Sequence, residues 1–248
     1  MRAIIYLGIV LPAAPSFAQE APDWNEALKT MDMQSNFQDN DFSATMNMIS
    51  EDPEDGISIT VMTTFRRDSE DKFLMLTLEP ENKKGQGVLR SGDNMWMYDP
   101  ESRKFSHTSL KESLSGTDAR NDDMRMSTMA EDYTVVDYQE GVLGSFNVWI
   151  VDLEAVDNEV AYARKKIWID KKSMLTLKTE DYSLSNRLLR TSLYPSYAKI
   201  GDAYFATKMI FVDEVVEGKK TQISVTDISL DRLPDMVFQK TYIERVNQ

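Results

Sequence analysis

The chain has 248 residues, no cysteine, one histidine and a formal net charge of −13. Without cysteine no disulfide can hold the fold, so a hydrophobic core must, and a chain of this length can bury one as a single domain. The acidity repels phosphate backbones, which excludes nucleic acid as a partner, and also disfavours adhesion to anionic membrane surfaces.

The first eighteen residues read as an export leader. Arg2 gives a positive start, 3–11 is an apolar run, and Ser16 and Ala18 place small residues at −3 and −1 of a cut after Ala18. The run is short of the roughly 20 apolar residues that span a bilayer. The expected organisation is a signal peptide at 1–18 and one domain at 19–248, exported to the periplasm. Residues 23–36 predict an amphipathic helix, with Asp23 as cap and Trp24, Ala27, Leu28 and Met31 on one face.

From there the period changes to two. Phe42, Ala44, Met46 and Met48 alternate with polar residues, and the turn 51–56 leads into a strand over 57–61 and 63–67. Further strands are expected at 73–78, 88–90, 95–98 and 104–108, with a hairpin turn at 91–94. Residues 110–132 break the pattern. They are polar, and Met124, Met126 and Met129 fall in a helix expected near 121–131. Strands resume at 134–138, 145–153, 163–169, 174–182, 188–197, 205–212 and 221–227. A helical turn at 234–238 precedes a short tail. About ten to twelve strands joined by hairpin turns predict a mainly β chain, an antiparallel barrel or strongly curled sheet with a helical segment on one side.

Catalytic chemistry finds little footing. His107 lies in a strand or strand end, no Gly-x-Ser-x-Gly elbow is present, and zinc lacks its usual ligands. The acidic residues 118–123 lack calcium-loop spacing and read as a solvated face. Neither an enzyme nor a cofactor is expected. The fifteen methionines are more informative, because they recur as Met-x-Met pairs at 31/33, 46/48, 95/97 and 124/126. Soft thioethers suit Cu(I), an adaptable lipid-contacting lining, or plain core. On a strand, i and i+2 share a face, so Met46/Met48 and Met95/Met97 each point one way.

Lys84-Gly85-Gln86-Gly87-Val88-Leu89-Arg90-Ser91-Gly92-Asp93-Asn94-Met95-Trp96-Met97-Tyr98-Asp99-Pro100 resembles the outer-membrane lipoprotein-sorting, LolA-like, periplasmic family. The resemblance continues through 167–171, 194–209, 219–228, 233–238 and 242–244. One stretch departs from the family pattern: Gly116 and Asp118 are retained, but Ala119 stands where the family carries an aromatic. The resemblance implies an unclosed half-barrel with a helical lid. It also implies a soluble carrier, most simply a monomer. Such a carrier takes a lipidated protein or lipid cargo from an inner-membrane ABC-type releasing complex to an outer-membrane acceptor. On that reading Phe42, Met46, Met48, Leu74, Leu76, Met95 and Met97 line the cavity, and Met124, Met126 and Met129 belong to the lid. The alternative is a periplasmic sensor or interaction module built on a lipid-responsive half-barrel.

Overall fold

A computed structural model describes residues 20–248. The leader and the cut after Ala18 lie outside the described residues. Helix α1 (Trp24–Ser35) starts where expected: Asp23 accepts from the Asn25 and Glu26 backbone N–H groups at 3.0 and 3.4 Å. This satisfies donors that a helix N-terminus otherwise leaves bare.

The strands are β1 (Phe42–Asp52), β2 (Gly56–Arg67), β3 (Lys72–Glu79), β4 (Gly87–Ser91), β5 (Asn94–Asp99) and β6 (Lys104–His107). After the break come β7 (Tyr133–Leu143), β8 (Phe146–Ala155), β9 (Arg164–Asp170), β10 (Thr176–Tyr182), β11 (Leu188–Ile200), β12 (Ala203–Asp213) and β13 (Lys220–Ser229). They form one 13-stranded sheet in the order β6-β5-β4-β3-β2-β1-β13-β12-β11-β10-β9-β8-β7. Every pairing is antiparallel, and among the described residues β6 and β7 are unpaired edges, so the barrel is unclosed.

This order dictates the rest of the architecture. Strands β6 and β7 are neighbours in sequence but sit at opposite edges, so the chain between them must cross the sheet. It crosses the concave face and buries Leu114, Ala119 and Met124 there, against Met46, Met48, Met62, Met75, Phe211 and Ile223. Toward β7 the concave face is covered by α1, whose Trp24, Ala27, Leu28 and Met31 pack on Trp149, Val151, Leu153 and Ile167.

Three expectations need correction. The crossover carries no helix over 121–131. It has a single 3-10 turn (Asn121–Met124), an extended stretch, and then the one-turn helix α2 (Met129–Asp132). Leu74 and Leu76 do not face the concave side. They pack with Leu89 and Tyr98 on the convex side, under Val237, Phe238 and Ile243. Phe73 and Met75 take the concave positions. Finally, the expected tail is helix α3 (Lys240–Val246), because Ile243 is fully buried over β3 and β4. Arg67 fastens that end of the chain. Its guanidinium donates to Asp41 at 2.8 and 2.9 Å, to Asp235 at 2.6 Å and to the Leu233 carbonyl at 2.7 Å.

Candidate functional site

Between sheet and crossover lies a cavity of ≈230 Å³. Its floor comes from Met46 on β1, Ile167 on β9, Tyr194 and Tyr197 on β11, and Phe205 and Met209 on β12. Its roof is Met124, Met126 and Met129 from the crossover. Five thioethers thus converge on one space, and an unbranched, polarizable side chain refits easily to varied apolar shapes. The volume is below the roughly 300–1,000 Å³ of sites for drug-sized ligands. A long chain therefore enters only if the roof lifts or the methionines repack.

Polar bonds attach the roof at several places, among them Arg190, α1 and β13. Deepest is Arg190 on β11, which donates to Asp123 of the roof at 2.6 and 2.8 Å, to the Asp118 carbonyl at 3.2 Å and to Asp181 of β10 at 2.9 Å. Lys165 on β9 donates to the other Asp181 oxygen at 2.7 Å. Burial pushes the Asp181 carboxyl up, but Lys165 and Arg190 more than reverse this and hold it below its usual range. Burial likewise works against the charges on Lys165 and Arg190, and their carboxylates overcome it, so both cations are held above their ordinary values.

The second attachment is to α1. Asp32 accepts from the Met129 and Ala130 N–H groups at 2.9 and 2.8 Å. Asn36 exchanges a pair of 2.7 Å hydrogen bonds with the Ser127 backbone. The third is on β13, where the Asp118 N–H donates to Thr221 Oγ1 at 3.1 Å and that hydroxyl donates to Asp118 Oδ2 at 2.8 Å. Arg125, within the roof, ion-pairs with Asp122 at 2.6 Å and with Asp132.

The expected lining residues separate into groups. Met46, Met124, Met126 and Met129 reach the cavity. Phe42 and Met48 lie in the solid part of the concave core, Phe42 stacked between Phe37 at 4.8 Å and Phe205 at 4.6 Å. Met95 is buried in the same core, whereas Met97 opens onto a second cavity nearer β6. Leu74 and Leu76 are on the other side of the sheet. Tyr194, Tyr197, Phe205 and Met209 went unnoticed in the sequence; alternation along 205–212 could have placed Phe205 and Met209 on one face, but Tyr194 and Tyr197, three apart, both reach the cavity only because the β11 register shifts between Leu193 and Tyr197. The charged wall could not have been found that way, since Lys165, Asp181 and Arg190 occupy ordinary strand positions.

His107 is remote from the methionine cavity; its ring is 6.1 Å from that of Trp96, and the residue borders the second cavity nearer β6. Among the described residues no group of three His, Asp or Glu is placed to hold a metal ion, and no helix is long and apolar enough to cross a membrane.

A family model described as "Uncharacterized protein" matches residues 69–245. No curated protein matches the chain significantly. Solved structures match over nearly its whole length. One is a LolA superfamily protein from Nitrosomonas europaea, 22% identical with a TM-score of 0.78, covering 90% of this chain and 100% of its own. A second, described as a candidate outer membrane lipoprotein-sorting protein domain from Vibrio parahaemolyticus, is 21% identical with a TM-score of 0.78, covering 89% and 98%. A third, a DUF1329 family protein from Desulfovibrio piger, is 20% identical with a TM-score of 0.78, covering 88% and 97%.

Proposed function

We propose a function from one premise: this chain belongs to the uncharacterized-protein family whose model spans residues 69–245, and its fold is LolA-like. It is a periplasmic carrier that shields the acyl chains of lipoproteins, or of related lipids, and moves them from the inner to the outer membrane. The observation that carries this reading is the methionine-lined cavity between a curled sheet and a roof held by polar side chains. An acyl chain loses about 0.8 kcal/mol for every methylene left in water, on the order of 12 kcal/mol for a chain of 15. A lipidated protein therefore needs a container to cross an aqueous space, and the container must also let go.

The apolar lining supplies the shielding, and the roof supplies the release, because ion pairs and hydrogen bonds can be exchanged for water. The work is binding and transfer without covalent chemistry. An inner-membrane ABC-type complex loads the carrier and an outer-membrane acceptor empties it. The protein acts as a monomer, and its negative charge limits adhesion to anionic membranes at either end.

The test is native mass spectrometry of the mature protein, taken from the periplasm without detergent. An added mass matching an acylated peptide or a lipid supports the carrier and names its cargo class. A protein that stays free after incubation with lipoprotein-loaded vesicles refutes it and favours the sensor.

A further inference from the structure

The crossover roofs two cavities. Its second half covers the methionine cavity, and its first half covers another of ≈460 Å³ at the β6 end of the concave face. The floors adjoin, since Met62 of the second cavity stands directly across the β1–β2 ladder from Met46 of the first. Met62, Val88 and Met97 make this second floor apolar.

Among the described residues its walls hold two unpaired buried polar atoms, where the methionine cavity holds one, Thr179 Oγ1. Thr77 on β3 and Asn121 on the crossover line the cavity, and they are only 1% and 2% exposed. Neither Thr77 Oγ1 nor Asn121 Oδ1 has a hydrogen-bond partner among the described residues. Asn121 is not free to turn away: its Nδ2 donates to the Ser109 carbonyl at 2.9 Å, and its backbone N–H donates to the Glu112 carbonyl at 3.1 Å. A buried acceptor left without a donor bears its full desolvation cost, so folded proteins keep few of them. Asn121 Oδ1 can only accept, and the Thr77 hydroxyl can accept as well as donate, so the pair suits a ligand group that donates. The charge of the lining narrows the choice. Among the described residues Glu112 is its one acidic residue, no lysine or arginine lines it, and His107 is its one group able to take up a proton, so a phosphate or carboxylate would meet no permanent cation.

We propose that this second cavity binds the uncharged, hydrogen-bond-donating head of an acyl ligand, while the methionine cavity takes the chain. An amide N–H beside an N-linked acyl chain and a hydroxyl on an acylglycerol offer the same chemistry. The inference rests on the carrier reading for the chain alone.

The experiment compares four probes on the whole mature protein: diphenylhexatriene, which forms no hydrogen bonds, N-palmitoylglycinamide, monopalmitoylglycerol and palmitate. Each is titrated against the wild type, Thr77→Val and Thr77→Ser. Wild type is expected to hold an uncharged-head probe at least tenfold tighter than palmitate. Thr77→Val should lose about three- to tenfold on that probe. It should keep its affinity for diphenylhexatriene and melt no lower than wild type, because valine removes an unpaired hydroxyl. Thr77→Ser should restore the loss. Whichever of the amide and glycerol probes is affected identifies the source of the head. Equal affinity of Thr77→Val and wild type for both uncharged probes overturns the proposal and leaves a hydroxyl with a structural role only; so does palmitate binding as tightly as they do. If diphenylhexatriene itself fails to bind, the carrier reading falls; if it binds and heads are not distinguished, only the present inference does.

Discussion

The charge cluster under the roof makes Asp123→Asn the most discriminating substitution. Asp123 meets both Nη atoms of Arg190, at 2.6 and 2.8 Å. The amide keeps the shape and one acceptor, but it removes the charge and turns an N–H₂ group toward a guanidinium that only donates. Losing one partner of a buried ion pair costs about 3–5 kcal/mol, and hydrogen bonds to charged groups contribute about 1.5–3 kcal/mol each. One contact survives, and Asp181 keeps both Lys165 and Arg190, so a loss of about 2–3 kcal/mol for the closed roof is reasonable. That shifts the roof toward open by about 30- to 150-fold.

Hydrogen–deuterium exchange reads the shift directly. The N–H groups of Asp118, Ser127, Met129 and Ala130 donate from the roof to the body. They should exchange faster by that factor, while the β8–β9 ladder keeps its rates and an acyl probe enters sooner. Unchanged roof amides would refute the latch. Equal acceleration throughout the sheet would refute separate opening of the roof.

Asp32→Ala removes the acceptor for the Met129 and Ala130 N–H groups, and should cost about 1 kcal/mol, as loss of a helix cap does; the amides of 127–130 should lose protection before those of 114–121. Leu76→Ala should cost about 2–5 kcal/mol in a urea melt and leave probe affinity unchanged, because Leu76 packs on the convex side; a weakened probe would put it back in the cavity. The latch should hold from neutral pH down to about 4. Asp181 is held below its ordinary 3.8, so its contribution is full above that value and is lost as pH falls through its folded-state value. Asp118, pushed up chiefly by burial, takes its proton earlier and moves stability the opposite way. Roof-amide protection, corrected for the intrinsic pH dependence of exchange, that collapses between pH 7 and 5 would contradict this assignment.

The sheet was legible because period two survives wherever one face is polar, as along Phe42 to Met48. It failed at β3 for the same reason. Residues 73–78 are apolar on both faces except for Thr77, so the pattern gives a strand but not its phase, and a slip of one residue exchanges Leu74 and Leu76 for Phe73 and Met75. Residues 121–131 looked helical because polar residues and methionines fit a helix surface. Their backbone instead takes partners from Asp32 and Asn36, which no local window contains. Helix α3 was hidden by its brevity. Its warrant is tertiary: Gly87 leaves room for Ile243, whose Cγ2 would lie 3.3 Å from any added Cβ. The latch was illegible because Lys165, Asp181 and Arg190 look like solvent-facing charges until the roof is laid over them.

Strand β1 pairs with β13 in the middle of the sheet, so the first strand waits for the last. The runs β1–β6 and β7–β13 can each zip from neighbours in sequence, but the seam joins Ser43 to Ser229 and Glu51 to Lys220, across most of the chain. Such a distant pairing is the slow part of assembly. Until it forms, β1 carries a bare edge beside an uncovered apolar face, the combination that invites pairing with the wrong chain. Yield on refolding should then be limited by encounters between half-built molecules, and should fall as the protein is made more concentrated.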